Sequence, residues 1–146
     1  MRVHYPSMAM LLLGATVACG PSNHIRPPLT PDGALVYTAD DIAKMQVSNA
    51  WDVVEWSGQM NMSEATDGSS ATIRNRQGRS SLLFSAADMP LLIVDGVRIE
   101  DPRLLQRIPA PTIQVLSIID GLHATIREGT GSSGGVIYVV TKKGRA

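Results

Sequence analysis

The sequence predicts a small α+β domain in which a few short helices accompany a mixed β-sheet. One segment has the i, i+3, i+4, i+7 spacing of an amphipathic helix, at Ala50, Val53, Val54 and Ser57. Two apolar runs, 91–94 and 136–141, have the length of strands rather than helices. An Asp-Gly pair follows the first run, and this pair favours a tight hairpin.

Bulk composition restricts the classes of function. The 146 residues are enough for one small domain, and 13 basic residues balance 13 acidic ones. A zero net charge does not fit nucleic-acid binding, which usually needs a basic face. Aromatic residues make up only 4% of the chain, too few for a platform that stacks bases or sugars.

The N-terminus has the pattern of an export signal. Arg2 precedes an apolar run from Met8 to Ala18 that is too short to span a bilayer. Small residues then lead into Cys19, which resembles the lipoprotein signal, where cleavage precedes the cysteine and its thiol receives a lipid. An ordinary signal peptide with an incidental cysteine is the alternative. Because Cys19 is the single cysteine and has no internal disulfide partner, we interpret 1–18 as a signal peptide and Cys19 as lipidated.

A proline-rich segment separates this cysteine from the domain. Residues 20–33 include four prolines, which favour neither a helix nor an internal strand. We therefore predict a lipid-attached flexible tether over 19–33 and a folded domain over 34–146.

Two short helices are expected at the start of the domain. Thr38 and Asp41 have the spacing of a capping box, and the second helix is expected to begin near Asn49. The region that follows, 58–81, is rich in Ser, Thr, Gly and Asn and indicates a loop with one strand near 71–75.

Three arginines cluster in that region without a nearby acid. Arg74, Arg76 and Arg79 are candidates for contact with an anionic or protein partner. A solvated loop is the alternative interpretation, because charged side chains usually face water.

The hairpin is the strongest local signal. Asp95-Gly96 supplies a two-residue turn whose central positions need positive φ, between the run 91–94 and a return strand 97–99. Asp101 then caps a short helix that begins with Pro102. Asp95 is interpreted as a turn residue and not as a catalytic carboxylate.

A strand, a helix and a final strand complete the chain. A strand is predicted over 113–119, and Asp120 then caps a helix from Gly121 towards Glu128 with Leu122 and Ile126 on one face. Gly129 is predicted to end this helix in the left-handed region, and a loop with Gly134 and Gly135 leads into the last strand. Gly129, Gly131 and Gly134 fit GxGxxG, but a nucleotide motif needs a strand before it and a helix after it.

These motifs together resemble the plug domain of TonB-dependent outer-membrane receptors. The string PLLIVDGVRI is similar to a hairpin that recurs in plugs, and Gly121, Gly129, Gly134, Gly135 and the ending TKKG match the family's last segment. The resemblance covers about 36–143 and implies a plug-like α+β fold. Two positions depart from it: Asp120 stands where Lys or Arg is frequent, and Glu128 stands where the family prefers Tyr.

The resemblance implies a function in binding. The predicted strands are too few and too short for a membrane barrel. We therefore expect a free-standing plug-like module, lipid-anchored at the periplasmic face of the outer membrane, with a receptor barrel, TonB or another envelope protein as partner. A receptor that has lost its barrel, and a periplasmic enzyme, are the alternatives. The sequence contains no catalytic constellation, no metal-ligand spacing and no cofactor motif with the required context.

Overall fold

The computed structural model describes residues 27, 29–66, 70–76 and 89–143, which form one mixed sheet, a two-stranded ribbon and short helices. The strands are β1 Ala34–Thr38, β2 Met60–Glu64, β3 Ala71–Asn75, β4 Leu91–Val94, β5 Val97–Ile99, β6 Ile113–Ile119 and β7 Val136–Thr141. The helices are α1 Ala39–Met45, α2 Ala50–Ser57 and α3 Gly121–Glu128, with 3-10 segments at Pro102–Arg107, Ala110–Thr112 and Thr130–Ser132. The predicted α+β class is confirmed.

The five-stranded sheet has the order β1-β6-β7-β4-β5. Only β4 and β7 run parallel, whereas the other neighbours are antiparallel. β2 and β3 form a separate antiparallel ribbon. None of the helices in the described part of the chain is long and apolar enough to cross a membrane.

Side-chain alternation divides the core between the two faces of the sheet. On one face the sheet packs against α1, α2 and the β2–β3 ribbon, in a cluster that includes Leu35, Tyr37, Leu116, Ile137 and Val139. The intervening residues form a smaller cluster under α3, made of Ala34, Ile119, Ala124 and Val136. Period-two alternation along a strand requires this division.

The first two helices begin where the sequence predicts. Thr38 Oγ1 accepts the N–H of Asp41, and Asp41 Oδ2 accepts the N–H of Thr38, which completes a capping box. Asn49 Oδ1 caps α2 by accepting the N–H of Asp52 at 3.0 Å.

Several elements differ from the expectation. β1 and β2 are not among the predicted strands: β1 reads ALVYT, which has strand-forming residues, whereas β2 reads MNMSE, and its alternation becomes visible only opposite β3. The segment after Asp101 is a 3-10 helix, so Leu105 is buried while Leu104 stays partly exposed. Gly129 has φ 88° and ψ −174°, which lies outside the left-handed helical region although φ is positive.

The chain just before β1 lies against the domain. Leu29 forms an isolated antiparallel bridge with Leu35, and the N–H of Thr30 donates to the carbonyl of Ala34 at 2.9 Å. Gly33 is buried with φ 69°. The inner end of the segment interpreted as a tether therefore packs on β1.

Deleting this inner end is expected to weaken the fold. A chain that begins at Ala34 should lose about 1–2 kcal/mol of unfolding free energy relative to one that begins at Pro27, because paired backbone groups of β1 lose their partners. Urea titrations of the two chains measure the difference. Equal stabilities would show that residues 27–33 contribute nothing.

Candidate interaction surface

The glycine-rich loop between α3 and β7 is tightly folded. Ser132 is completely buried, and its hydroxyl donates to the carbonyl of Gly129 at 2.7 Å. The N–H of Gly135 donates to the carbonyl of Ser132 at 2.8 Å. Gly134 and Gly135 are buried, whereas Gly129 and Gly131 are exposed.

Two of the glycines permit close backbone approach. A Cβ on Gly121 would overlap the carbonyl oxygen of Ser133 and lie 2.9 Å from its carbonyl carbon. A Cβ on Gly135, where φ is 98°, would lie 2.7 Å from the carbonyl oxygen of Ile119. The loop thus rests on the N-terminus of α3 and the end of β6, and these glycines hold it there.

The β2–β3 ribbon, which carries two of the three arginines, contacts this loop through Asn75. Arg74 pairs with Asn61 on the outer face of the ribbon, and Arg76 Nε donates to Asn61 Oδ1 at 3.2 Å. Between them, the side chain of Asn75 lies 3.6 Å from the Cβ position of Gly135. Asn75 thus joins the end of the ribbon that carries Arg74 and Arg76 to the buried end of the glycine loop. The third predicted residue, Arg79, lies outside the described residues, as does the predicted lipidation residue Cys19.

A groove of about 240 Å³ borders this surface. Gly131 and Ile73 line one side, and Leu92, Ile99 and Pro102 are among the apolar residues of the other side. Arg98 and Glu100 add charge at the groove. The groove therefore mixes apolar and charged side chains, as protein-binding surfaces commonly do.

The predicted hairpin has an additional interaction that sequence reasoning missed. Asp95 and Gly96 have φ values of 49° and 82°, so both turn positions are in the positive-φ region. Asp95 Oδ1 accepts the N–H of Thr141 at 2.7 Å, and Oδ2 accepts the Thr141 hydroxyl at 2.8 Å. The turn carboxylate thus connects the hairpin to the end of β7.

At the start of α3, Asp120 acts as the N-cap that the sequence predicts. Its Oδ1 accepts the N–H groups of Leu122 and His123, each at 3.0 Å. His123 Nδ1 lies 2.8 Å from Asp120 Oδ2, and the imidazole packs on Gly33, whose Cβ position is 2.6 Å from its Cγ. Asp120 and His123 thus join α3 to the chain before β1.

The electrostatics of Asp120 give a pH prediction. Burial raises its pKa, but hydrogen bonds from His123 and Leu122 outweigh that effect, and the net pKa is lowered. The ionised Asp120 carboxylate therefore stabilises the fold at pH values above the ordinary carboxyl pKa. This contribution is lost as the pH falls through the lowered pKa of Asp120 in the folded state. Asp120→Asn should reduce the stability difference between neutral pH and about pH 3 in urea titrations. Asp40→Asn, at an exposed position of α1, is the control, and identical pH dependence in both variants would contradict the prediction.

Glu128 interacts within the domain. It accepts a hydrogen bond from the Tyr138 hydroxyl, and the guanidinium of Arg127 lies 5.6 Å from the centre of the Tyr138 ring. Burial, together with Glu128, raises the pKa of Tyr138. The resemblance leads one to expect an aromatic residue at position 128. Glu128 stands there instead, and it bonds to an aromatic residue of β7, Tyr138.

The geometry does not support a phosphate site at the glycine loop. Its GxGxxG spacing follows helix α3 and precedes strand β7, the reverse of the order that nucleotide binding needs. Within the described ranges, the His, Cys, Asp and Glu side chains form no group of three that would hold a metal ion.

Comparisons with known proteins agree with this fold. The family model TonB-dependent Receptor Plug Domain matches residues 29–136. A TonB-dependent receptor, SusC of Bacteroides thetaiotaomicron, is 30% identical over 117 residues, which cover 73% of this chain and 11% of SusC.

Solved structures show the same similarity. A ferric enterobactin receptor of Pseudomonas aeruginosa superposes with a TM-score of 0.54 at 21% identity, over 79% of this chain and 18% of the receptor. The siderophore receptor PirA of Acinetobacter baumannii gives 0.52 at 22% identity, over 75% and 17%. The chain thus spans less than a fifth of the length of these relatives. Since the family model covers most of the sequence, the chain belongs to the family of TonB-dependent receptor plug domains.

Proposed function

We propose that this plug domain is a non-enzymatic binding module, lipid-anchored through Cys19 at the periplasmic face of the outer membrane, and that it serves an uptake system there. Its relatives are outer-membrane receptors, which supports the location. Plug domains belong to transport receptors and not to enzymes, which supports a role in binding.

The observation that carries the binding role is the position of Arg74 and Arg76. Both are exposed on the ribbon whose end contacts the glycine loop, and Ile73 of the same ribbon lines the groove of mixed apolar and charged residues. Loops and rims of this kind, held by a rigid scaffold, are where binding residues concentrate. An envelope protein with an acidic patch, such as a receptor barrel or TonB, is the partner that this surface suits.

Salt dependence tests the basic character of the contact. Because exposed charges are screened with a Debye length of about 8 Å at physiological salt, partner retention should fall as salt rises. Co-purification from detergent-solubilised outer membranes, at low and high ionic strength, measures this. Retention that does not change with salt would contradict a role for the arginines.

The anchor is tested separately. Wild-type chain should carry acyl chains on Cys19 and sediment with the outer membrane, whereas Cys19→Ser should be soluble in the periplasm. Mass spectrometry of the peptide that begins at Cys19, together with fractionation, gives both readouts. An unmodified thiol in the wild type would overturn the anchor and leave the binding role to the partner experiment.

A further inference from the structure

The outer side of α3 is apolar and uncovered. Leu122 and Ile126 are 73% and 80% exposed, although they sit one turn apart on the same side of the helix. Ala124, on the inner side, is fully buried against the sheet. The face that the sequence predicts for Leu122 and Ile126 therefore points into the solvent.

More apolar surface lies on the same face of the sheet. Val140 is exposed. It lies on the α3 side of the sheet because it follows Val136, of the cluster under α3, by four residues on the same strand. Val97 provides the contrast: it pairs with Val94, which packs in the cluster on the opposite face. We call the surface of Leu122, Ile126 and Val140 the α3 face.

The chain that leads to the predicted anchor leaves the domain beside α3. Gly33 packs on the imidazole of His123, and Leu29 lines a small cavity together with Gly33 and Asp120. Leu29 is itself 64% exposed. Cys19 precedes Leu29 by ten residues, and ten residues span at most about 33–36 Å even when fully extended.

The charges near this face are compatible with an anionic surface. Arg98 lies on the α3 side of the sheet, because it pairs with Ile93 of that cluster, and Arg127 is on α3 itself. Glu128 accepts a hydrogen bond from Tyr138 and lies 3.7 Å from Arg127. Arg127 and Glu128 therefore largely offset each other, and the charges beside the apolar surface add no net repulsion from an anionic surface.

We propose that the α3 face rests on the lipid bilayer to which Cys19 is anchored, so that the domain lies against the membrane in one orientation. This inference rests on the lipid anchor of the proposed function. A short linker gives the face an effective concentration at the bilayer on the order of millimolar, so a weak apolar contact is occupied. The β2–β3 ribbon, with Arg74 and Arg76, packs on the opposite face of the sheet and is left accessible to a partner.

Photo-crosslinking to lipid tests this orientation. The full-length chain is produced with p-benzoylphenylalanine at Leu122 or Ile126, or at Val97 as a matched control that is 64% exposed on the other face. The purified protein is reconstituted in vesicles of phosphatidylethanolamine and phosphatidylglycerol and irradiated. We expect phospholipid adducts at 122 and 126 to exceed those at 97 by at least about tenfold, since burying one such side chain in lipid is worth more than a factor of ten.

The acylation of Cys19 is read in the same samples, so that the two proposals fail separately. Acylated protein with equal adduct yields at 122 and 97 overturns the orientation and leaves the anchor intact. An unmodified Cys19 overturns the anchor; its thiol is then coupled to a maleimide lipid, and the same adduct yields decide the orientation. Positions 122 and 126 could instead form adducts only in native membranes, and only with protein. That result would assign the α3 face to a protein partner and overturn the proposal.

Discussion

Replacing Gly121 with alanine is expected to destabilise the domain by about 3 kcal/mol, although alanine is the better helix former. The added Cβ would overlap the carbonyl oxygen of Ser133, which belongs to the backbone and has no flexible end to move away. Either the glycine loop or the start of α3 must shift. Urea unfolding at neutral pH, followed by tryptophan fluorescence, measures the loss.

Gly131→Ala is the matched control, because it makes the same substitution in the glycine loop against which Gly121 packs. A Cβ at Gly131 meets no atom within 4 Å, so its effect should stay within about 0.5 kcal/mol. If both variants are as stable as the wild type, the loop does not lie against α3 as described.

Removing the Asp95 side chain is expected to give the second-largest effect. Asp95→Ala loses both acceptors for Thr141 and places alanine at φ 49°, where Asp and Asn are tolerated better. We expect a loss of about 2 kcal/mol, mainly because the hairpin separates from the end of β7.

Asp95→Asn separates the hydrogen bonds from the charge. The asparagine oxygen still accepts the N–H of Thr141, and its amide donates to the Thr141 hydroxyl, so this variant should lose less than about 0.5 kcal/mol. Denaturant midpoints for the two variants give the comparison. If Asn is as damaging as Ala, the interaction depends on the carboxylate charge, and the hydrogen-bond account of this position is wrong.

The parts of the fold that the sequence predicts are those with strong local chemistry. The cap at Thr38, the positive-φ turn at Asp95-Gly96 and the apolar run of β7 depend on neighbours along the chain. β2, which reads MNMSE, carries little strand signal of its own. β1 has strand-forming residues, but its place in the sheet depends on pairing with the distant β6. Residues 29–33 similarly read as a linker, because their partners on β1 and α3 become apparent only in the folded domain.

The residues of the candidate surface could be proposed from the sequence, but their arrangement in space could not. Three arginines close together in the sequence predict a basic segment, and clustered glycines predict a loop. The ribbon and the loop meet where Asn75 packs against Gly135, a contact between residues 60 positions apart that no local pattern encodes. The exposure of Leu122 and Ile126 could not be predicted either, because their spacing alone is that of a core-facing helix.

The most direct test of the account is photo-crosslinking from the basic surface in living cells. p-Benzoylphenylalanine at Gly131, a position with open space, should capture an envelope protein in the intact outer membrane. Arg74→Glu with Arg76→Glu should reduce that product severalfold, because reversal replaces attraction with repulsion, whereas Lys44→Glu on α1 should leave it unchanged. A product that neither reversal changes, or the absence of any protein product, would contradict the claim that this plug domain acts as a binding module through the arginine ribbon and the glycine loop.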